Sequence, residues 1–216
     1  MRPRYLIAVG PARPAIDAIK SRARKIMAGA RLRSVLESDR LLVFADGRAP
    51  LAMGPEGILI GSAFMRGSAS PPAAFSKADQ DAIAAIGGEW LIRACWGGYM
   101  AILVDTPTSR VDILRAPLGD LGCYIGRSDK VLLCASDAPL LLAAGMPKPS
   151  LDPAALARQL AAAEIRRAET CLVGVRELAG GEKLTILDGK VTREALWSPW
   201  AFAARERQIP DAKEAV

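Results

Sequence analysis

The 216 residues contain no histidine and no asparagine. Without an imidazole there is no Ser-His-Asp triad, no Cys-His dyad and no histidine-ligated zinc. Without asparagine, a side-chain amide donor can come only from Gln80, Gln159 or Gln208. Aromatic residues are 5% of the chain although 51% is hydrophobic, so the apolar content is aliphatic and alanine-rich. The cysteines, Cys95, Cys123, Cys134 and Cys171, form no CxxC pair, which argues against zinc ribbons and thioredoxin-type motifs. Isolated thiols in aliphatic runs read as small buried hydrophobes of a reducing compartment. No apolar run approaches the roughly 20 residues of a membrane helix. The one after Met1-Arg2-Pro3-Arg4 stops at Gly10-Pro11, too early for a signal peptide. The expectation is a cytoplasmic, soluble chain with no membrane partner.

What is present fits one sizeable domain. A chain of this length buries a core without disulfides or metal, and its hydrophobic content excludes disorder for most of it. The net charge of +6 and a pI near 9.4 raise the question of nucleic acid or an acidic partner. The cations are dispersed, however. The densest run, Lys20 to Arg33 with Arg22, Arg24, Lys25 and Arg31, has no interleaved aromatics and reads as a solvated helix face. No nucleic-acid partner is expected.

Patterning predicts a strand over 5–9 and a helix over 14–27 with Ile16, Ile19, Ala23 and Ile26 on one face. Strands follow over 41–45, closed by Asp46-Gly47, and over 58–60. Residues 66–76 read as a loop, and Ser76 caps a helix over 77–86 that stops at Gly87-Gly88. Strands over 99–104 and 111–114 form one hairpin, and strands over 123–126 and 131–135 a second around Ser128-Asp129. Such continuous apolar runs fit strands covered on both faces. Asp137 precedes a short helix over 138–144 that ends at Gly145. Asp152-Pro153 opens a helix to about Ala163. A strand over 182–187 turns at Asp188-Gly189. There is no internal repeat and no second domain. The fold class expected is α+β with layered sheets.

Four segments between Trp90 and Trp200 resemble the amino-terminal, glutamine amidotransferase type 2-like domain of asparagine synthetase-family proteins. The run Trp96-Gly97-Gly98-Tyr99-Met100-Ala101 to Asp105 is similar to that family's Gly-aromatic-Ala strand ending in Asp. Arg115-Ala116-Pro117-Leu118-Gly119 with Cys123-Tyr124 resembles its Arg-Asp-Pro-x-Gly segment and the aromatic pair beyond. Leu133-Cys134-Ala135-Ser136-Asp137 resembles Phe-Ala-Ser-Asp/Glu. Thr170 through Gly181, then Leu196-Trp197-Ser198-Pro199-Trp200, complete the likeness. Within the family, the wording around Trp96 and Trp197-Trp200 is most similar to lasso-peptide macrolactam cyclases.

The resemblance implies an N-terminal-nucleophile hydrolase sandwich, two stacked antiparallel sheets flanked by helices. It also implies a chemistry this chain is not equipped to perform. Glutamine-using members attack with a Cys exposed after the initiator Met, whose free α-amino group, with a pKa of about 8, takes the thiol proton. Arg2 stands at that position, and the first Cys is Cys95. The family's oxyanion donor is an Asn-Gly pair, and loss of one such donor costs roughly 3–4 kcal/mol. No Arg-Gly-Pro-Asp segment for the substrate carboxylate is recognisable between Gly29 and Pro50.

No catalytic or metal-binding residue is therefore assigned. The expected roles of Trp96, Asp105, Arg115, Gly119, Tyr124, Ser136, Asp137, Trp197 and Trp200 are at an interface or in the structure. Arg115 and Gly119 shape a turn, at a domain interface or as plain strand-end residues, and Ala116 replaces the family's Asp. Asp137 caps a helix. Trp96, Trp197 and Trp200 either pack at a domain junction or line a peptide surface. No pyrophosphate-cradling Ser-Gly-Gly-x-Asp-Ser loop and no P-loop occurs, so no cofactor is expected here. ATP and Mg belong to a synthetase domain, in cis or trans. Residues 1–200 form the domain, and 201–216 the linker or start of that missing part. A precursor peptide and its maturation protease are further expected partners.

Three functions follow. The first is a catalytically degenerate scaffold of an ATP-dependent amide ligase, in which the precursor's own amine replaces ammonia. The second is a working glutaminase domain with a different true start. The third is a non-enzymatic module holding an acidic peptide or protein.

Overall fold

A computed structural model describes residues 3–29, 31–46, 50–54, 57–118, 121–162, 168–201 and 203, without the side chains of 25–27. The expectations for Arg2, Gly119, the Ile26 side chain and nearly all of 201–216 lie outside these residues. The strands are β1 (Tyr5–Val9), β2 (Arg33–Glu37), β3 (Leu41–Ala45), β4 (Leu51–Ala52), β5 (Gly57–Met65), β6 (Cys95–Asp105), β7 (Arg110–Arg115), β8 (Tyr124–Ser128), β9 (Val131–Ala135), β10 (Arg176–Glu177), β11 (Glu182–Leu187) and β12 (Lys190–Ala195). The helices are α1 (Arg13–Gly29), α2 (Lys77–Ile86), α3 (Gly88–Ala94), α4 (Ala138–Ala143) and α5 (Pro153–Ala161). All pairings are antiparallel, in two six-stranded sheets of order β10-β8-β9-β1-β3-β2 and β12-β11-β7-β6-β5-β4.

Period-2 alternation divides each central strand between two cores. Tyr5, Ile7 and Val9 of β1 face the second sheet, where they meet Ile60, Met100, Ile102, Ile113 and Leu184. Leu6 and Ala8 face the other way, onto Ile16, Ile19 and Ala23 of α1 and Leu140 and Leu141 of α4. The second sheet repeats the logic with Leu59, Tyr99, Ala101 and Leu114 against Ile83, Leu91 and Ile92. The architecture is helix, sheet, sheet, helix. Every residue of β1, β3 and β9 is buried, as continuous apolar runs require.

Several elements differ from the sequence reading. The strand expected over 58–60 extends to Met65 as β5, because Gly61 supplies a twist rather than an end. At φ +103 it sits against the Gly98 carbonyl, and Gly97 at φ +120 sits against the Ser62 carbonyl, so a Cβ at either would strike backbone. Gly87 ends α2, as expected, but the chain immediately re-enters a helix, α3. Trp90 then packs edge-on to Phe75 at 6.0 Å. The second hairpin turns one residue later than expected, with Asp129 at φ +52. The basic face of α1 is not simply solvated. Lys20 Nζ reaches both Glu37 carboxylate oxygens at 2.9 and 2.7 Å, and Arg22 donates to Ser128 Oγ at 3.0 Å.

Candidate functional site

The two sheets share one end at which β1 begins, β7 finishes and β11 starts. Arg4 leads into β1. Its guanidinium donates to Asp137 Oδ2 at 3.0 Å and Oδ1 at 3.1 Å, and its backbone N–H donates to Asp46 Oδ1 at 2.6 Å. Asp137 also accepts from the Leu140 N–H, which makes it the N-cap of α4, and from Ser136 Oγ at 3.0 Å. Ser136 in turn accepts from the Tyr5 N–H at 3.2 Å and donates its own N–H to the Tyr5 carbonyl. Burial acts to raise the Asp137 carboxyl, but hydrogen bonds from Arg4 and Ser136 and the Arg4 charge outweigh it and hold it below the ordinary carboxylate range.

Beneath this network lies Tyr5, fully buried, with its hydroxyl donating to the Gly122 carbonyl at 2.6 Å. Burial, reinforced by the neighbouring Cys123 thiol, pushes its phenol well above the usual range. Arg115, paired in register with Met100, reaches from the second sheet across to the first. There Nη1 donates to Glu177 Oε1 at 2.7 Å and to the Leu178 carbonyl. The Arg115 side chain is 6% exposed and that of Glu177 15%, so the pair is a buried charge bridge. From the other side Arg193 grips the same crossover, donating to the Glu177 carbonyl at 2.8 Å and to Glu182. Close glycine contacts complete the junction: Gly180 lies on the Pro117 carbonyl, and Gly181, at φ +79, lies against Trp197.

Several large apolar side chains are exposed at this end. Trp96 is 50% exposed and stacks on Phe64 with ring centroids 4.5 Å apart. Leu118 is 79% exposed and Trp200 81%. Trp197 instead packs on the core beside α2 and α3. Of the remaining expected residues, Asp105 accepts from Thr108 Oγ1 at 2.6 Å at the far turn of β6, and Tyr124 packs on the helix side of the first sheet. The structure thus gathers Arg115, Ser136, Asp137, Trp96 and Trp197 at one end and places Asp105 away from them. Sequence reasoning missed Arg4, Tyr5, Glu177, Arg193 and Phe64. For Phe64 a signal existed, the apolar residues that resume after Gly61-Ser62.

Among the described residues, the polar side chains of this end bond to one another and to backbone. Cys123 and Cys134 are fully buried, and burial pushes the Cys95 thiol up to about 11. Ser136 Oγ has no imidazole to activate it, because the chain has none. Gln80 is committed to the Phe75 carbonyl at 3.0 Å. Among the described residues, no group of three or more Cys, Asp or Glu is placed to hold a metal ion. No helix among them is long and apolar enough to cross a membrane.

No protein-family model matches the chain, and no curated protein matches it. Solved structures do. Glutamine phosphoribosylpyrophosphate amidotransferase from B. subtilis, complexed with ADP and GMP, is similar over 90% of this chain and 49% of that one, at 10% identity and a TM-score of 0.49. A structure described as the allosteric regulatory enzyme of purine biosynthesis is similar over 89% and 49%, at 10% identity and a TM-score of 0.47. The chain spans about half the length of these structures.

Proposed function

We propose that this chain is a non-catalytic amidotransferase-like domain that serves as scaffold and docking face of an asparagine synthetase-type, ATP-dependent amide ligase. Within that class, the wording of residues 96–105 and 196–200 favours a macrolactam-forming, lasso-peptide cyclase. The observation that carries the reading is the pairing, at one end of the sandwich, of a polar network turned inward on protein groups with exposed apolar side chains. Arg4, Ser136, Asp137, Arg115 and Glu177 all hold protein groups. Trp96, stacked on Phe64, and Leu118 and Trp200 are exposed at the same end. Exposed aromatics of this kind are the usual anchors of protein contacts.

In this reading the partner is the synthetase domain, in cis or trans, and it holds ATP and Mg. The activated carboxyl of a precursor peptide is attacked by that peptide's own amine, so no ammonia has to be released here. A maturation protease would supply the free amine.

The test is glutamine hydrolysis by the protein isolated from its source cells, followed as glutamate release, together with its intact mass and the proteins bound to it. The expected outcome is no glutamate, and a synthetase domain either fused to the chain or bound to it. Steady glutamate release would overturn the reading in favour of a working glutaminase. A chain found free of any synthetase would overturn it in favour of a separate binding module.

A further inference from the structure

The opposite end of the sandwich, where β1 finishes, holds a cleft of about 320 Å³ between the two sheets. Its walls are Val9, Leu132, Ile186 and Val191, and they are continuous with the inter-sheet core. Its rim carries Arg40, Arg127 and Lys130 against one acid, Asp129. The strand register explains the basic mouth. On β8 the side chains alternate, Ile125 entering the inter-sheet core and Gly126 facing the helix layer. Arg127 follows on the inter-sheet side, at the strand's open end. Asp129 lies 3.7 Å from Arg22 of α1, which draws part of its charge away from the cleft. Among the described residues, Arg40, Arg127 and Lys130 have no ion-pair partner. This contrasts with Arg4, Arg13, Lys20, Arg115 and Arg193, each of which holds a carboxylate.

We infer that this cleft binds a small anion with an aliphatic tail, a medium-chain carboxylate, with the chain between the sheets and the head at the Arg40–Arg127–Lys130 rim. Size sets the tail. A 150 Å³ apolar cavity takes benzene, so 320 Å³ suits about a dozen non-hydrogen atoms. Charge sets the head, since guanidinium groups match a carboxylate geometrically. The lining has no aromatic residue to stack a base, which argues against a nucleotide. This inference is independent of the docking role assigned to the other end.

The experiment is titration of the purified full chain with octanoate, by calorimetry and by backbone amide shifts, alongside acetate, 1-octanol and octylammonium. The expected result is saturable octanoate binding, with shifts centred on Val9, Arg127, Lys130 and Val191. Acetate, octanol and octylammonium should bind at least tenfold more weakly. Arg127→Glu and Lys130→Glu, at exposed positions that leave the core intact, should each weaken octanoate at least tenfold. Val191→Phe, which fills the cleft, should abolish binding, with thermal unfolding checking that it still folds. Octanol binding as well as octanoate, shifts elsewhere on the protein, or indifference to both charge reversals would overturn the inference.

Discussion

Arg4 and Asp137 meet through two parallel hydrogen bonds of 3.0 and 3.1 Å, although 133 positions separate them in the chain. The same carboxylate caps α4, so one side chain fixes the start of β1 and the start of a helix together. Asp137→Ala removes both functions and is expected to cost about 1–2 kcal/mol, lowering Tm by a few degrees. Because the folded carboxyl titrates below its unfolded value of about 3.9, the stabilisation is full above that pH and fades as pH falls through the lower folded value. Thermal unfolding of the variant and the parent chain should therefore differ at pH 7, and the difference should shrink as pH falls below the unfolded value.

The Arg115–Glu177 bridge makes a different prediction. Arg115→Ala takes the guanidinium away from the partly buried Glu177 carboxylate and is expected to cost up to about 3 kcal/mol. Glu177→Gln combined with Arg115→Met removes both charges and keeps the volume, and should recover most of that loss. Urea unfolding of the single and double variants separates the two outcomes. Equal loss in both would mean that packing, not charge, holds this junction.

Tyr5 and Tyr99 are both buried, with phenols raised above the ordinary value, chiefly by burial. A raised phenol stabilises the fold below the unfolded pKa of about 10, and the contribution is lost as pH climbs toward the folded value. Phenolate absorbance from these two residues should appear only as the protein unfolds in alkali. Tyr5→Phe, which strips the Gly122 carbonyl of its donor, should lower stability by about 1–2 kcal/mol at neutral pH.

The thiols should report the same burial. At pH 8 a disulfide reagent should label Cys171 alone, because Cys95, Cys123 and Cys134 lie in the core. The other three should react only after denaturation. Fast labelling of Cys95 in the native state would contradict the raised value that burial gives it.

Much of this fold was legible because its central strands are covered on both faces. The runs at 5–9, 41–45 and 131–135 announce themselves as strands, since nearly every residue in them must be apolar. The strands β2 and β12 did not, because residues such as Arg33, Glu37, Lys190 and Arg193 leave no clean alternation. Helix α3 was hidden behind Gly87-Gly88, a pair that reads as a stop and acts as a corner. At the site, Trp96, Arg115, Ser136 and Asp137 stood out by likeness to a family, and Asp137 also as a cap before an apolar run. Their partners Arg4 and Glu177 did not. A contact across 133 or 62 positions leaves no local trace in composition or spacing.

The outer strands carry a consequence for how this protein meets others. The two sheets end in β10 and β2, and in β12 and β4. Two of these strands are only two residues long, β2 carries a register shift at Ser34–Leu36, and β12 is studded with Lys190, Arg193 and Glu194. Short, kinked and charged margins are poor templates for a further strand. The sides of the sandwich are thereby closed to ribbon-on-ribbon growth. A companion chain is therefore not expected to join either sheet as an added strand.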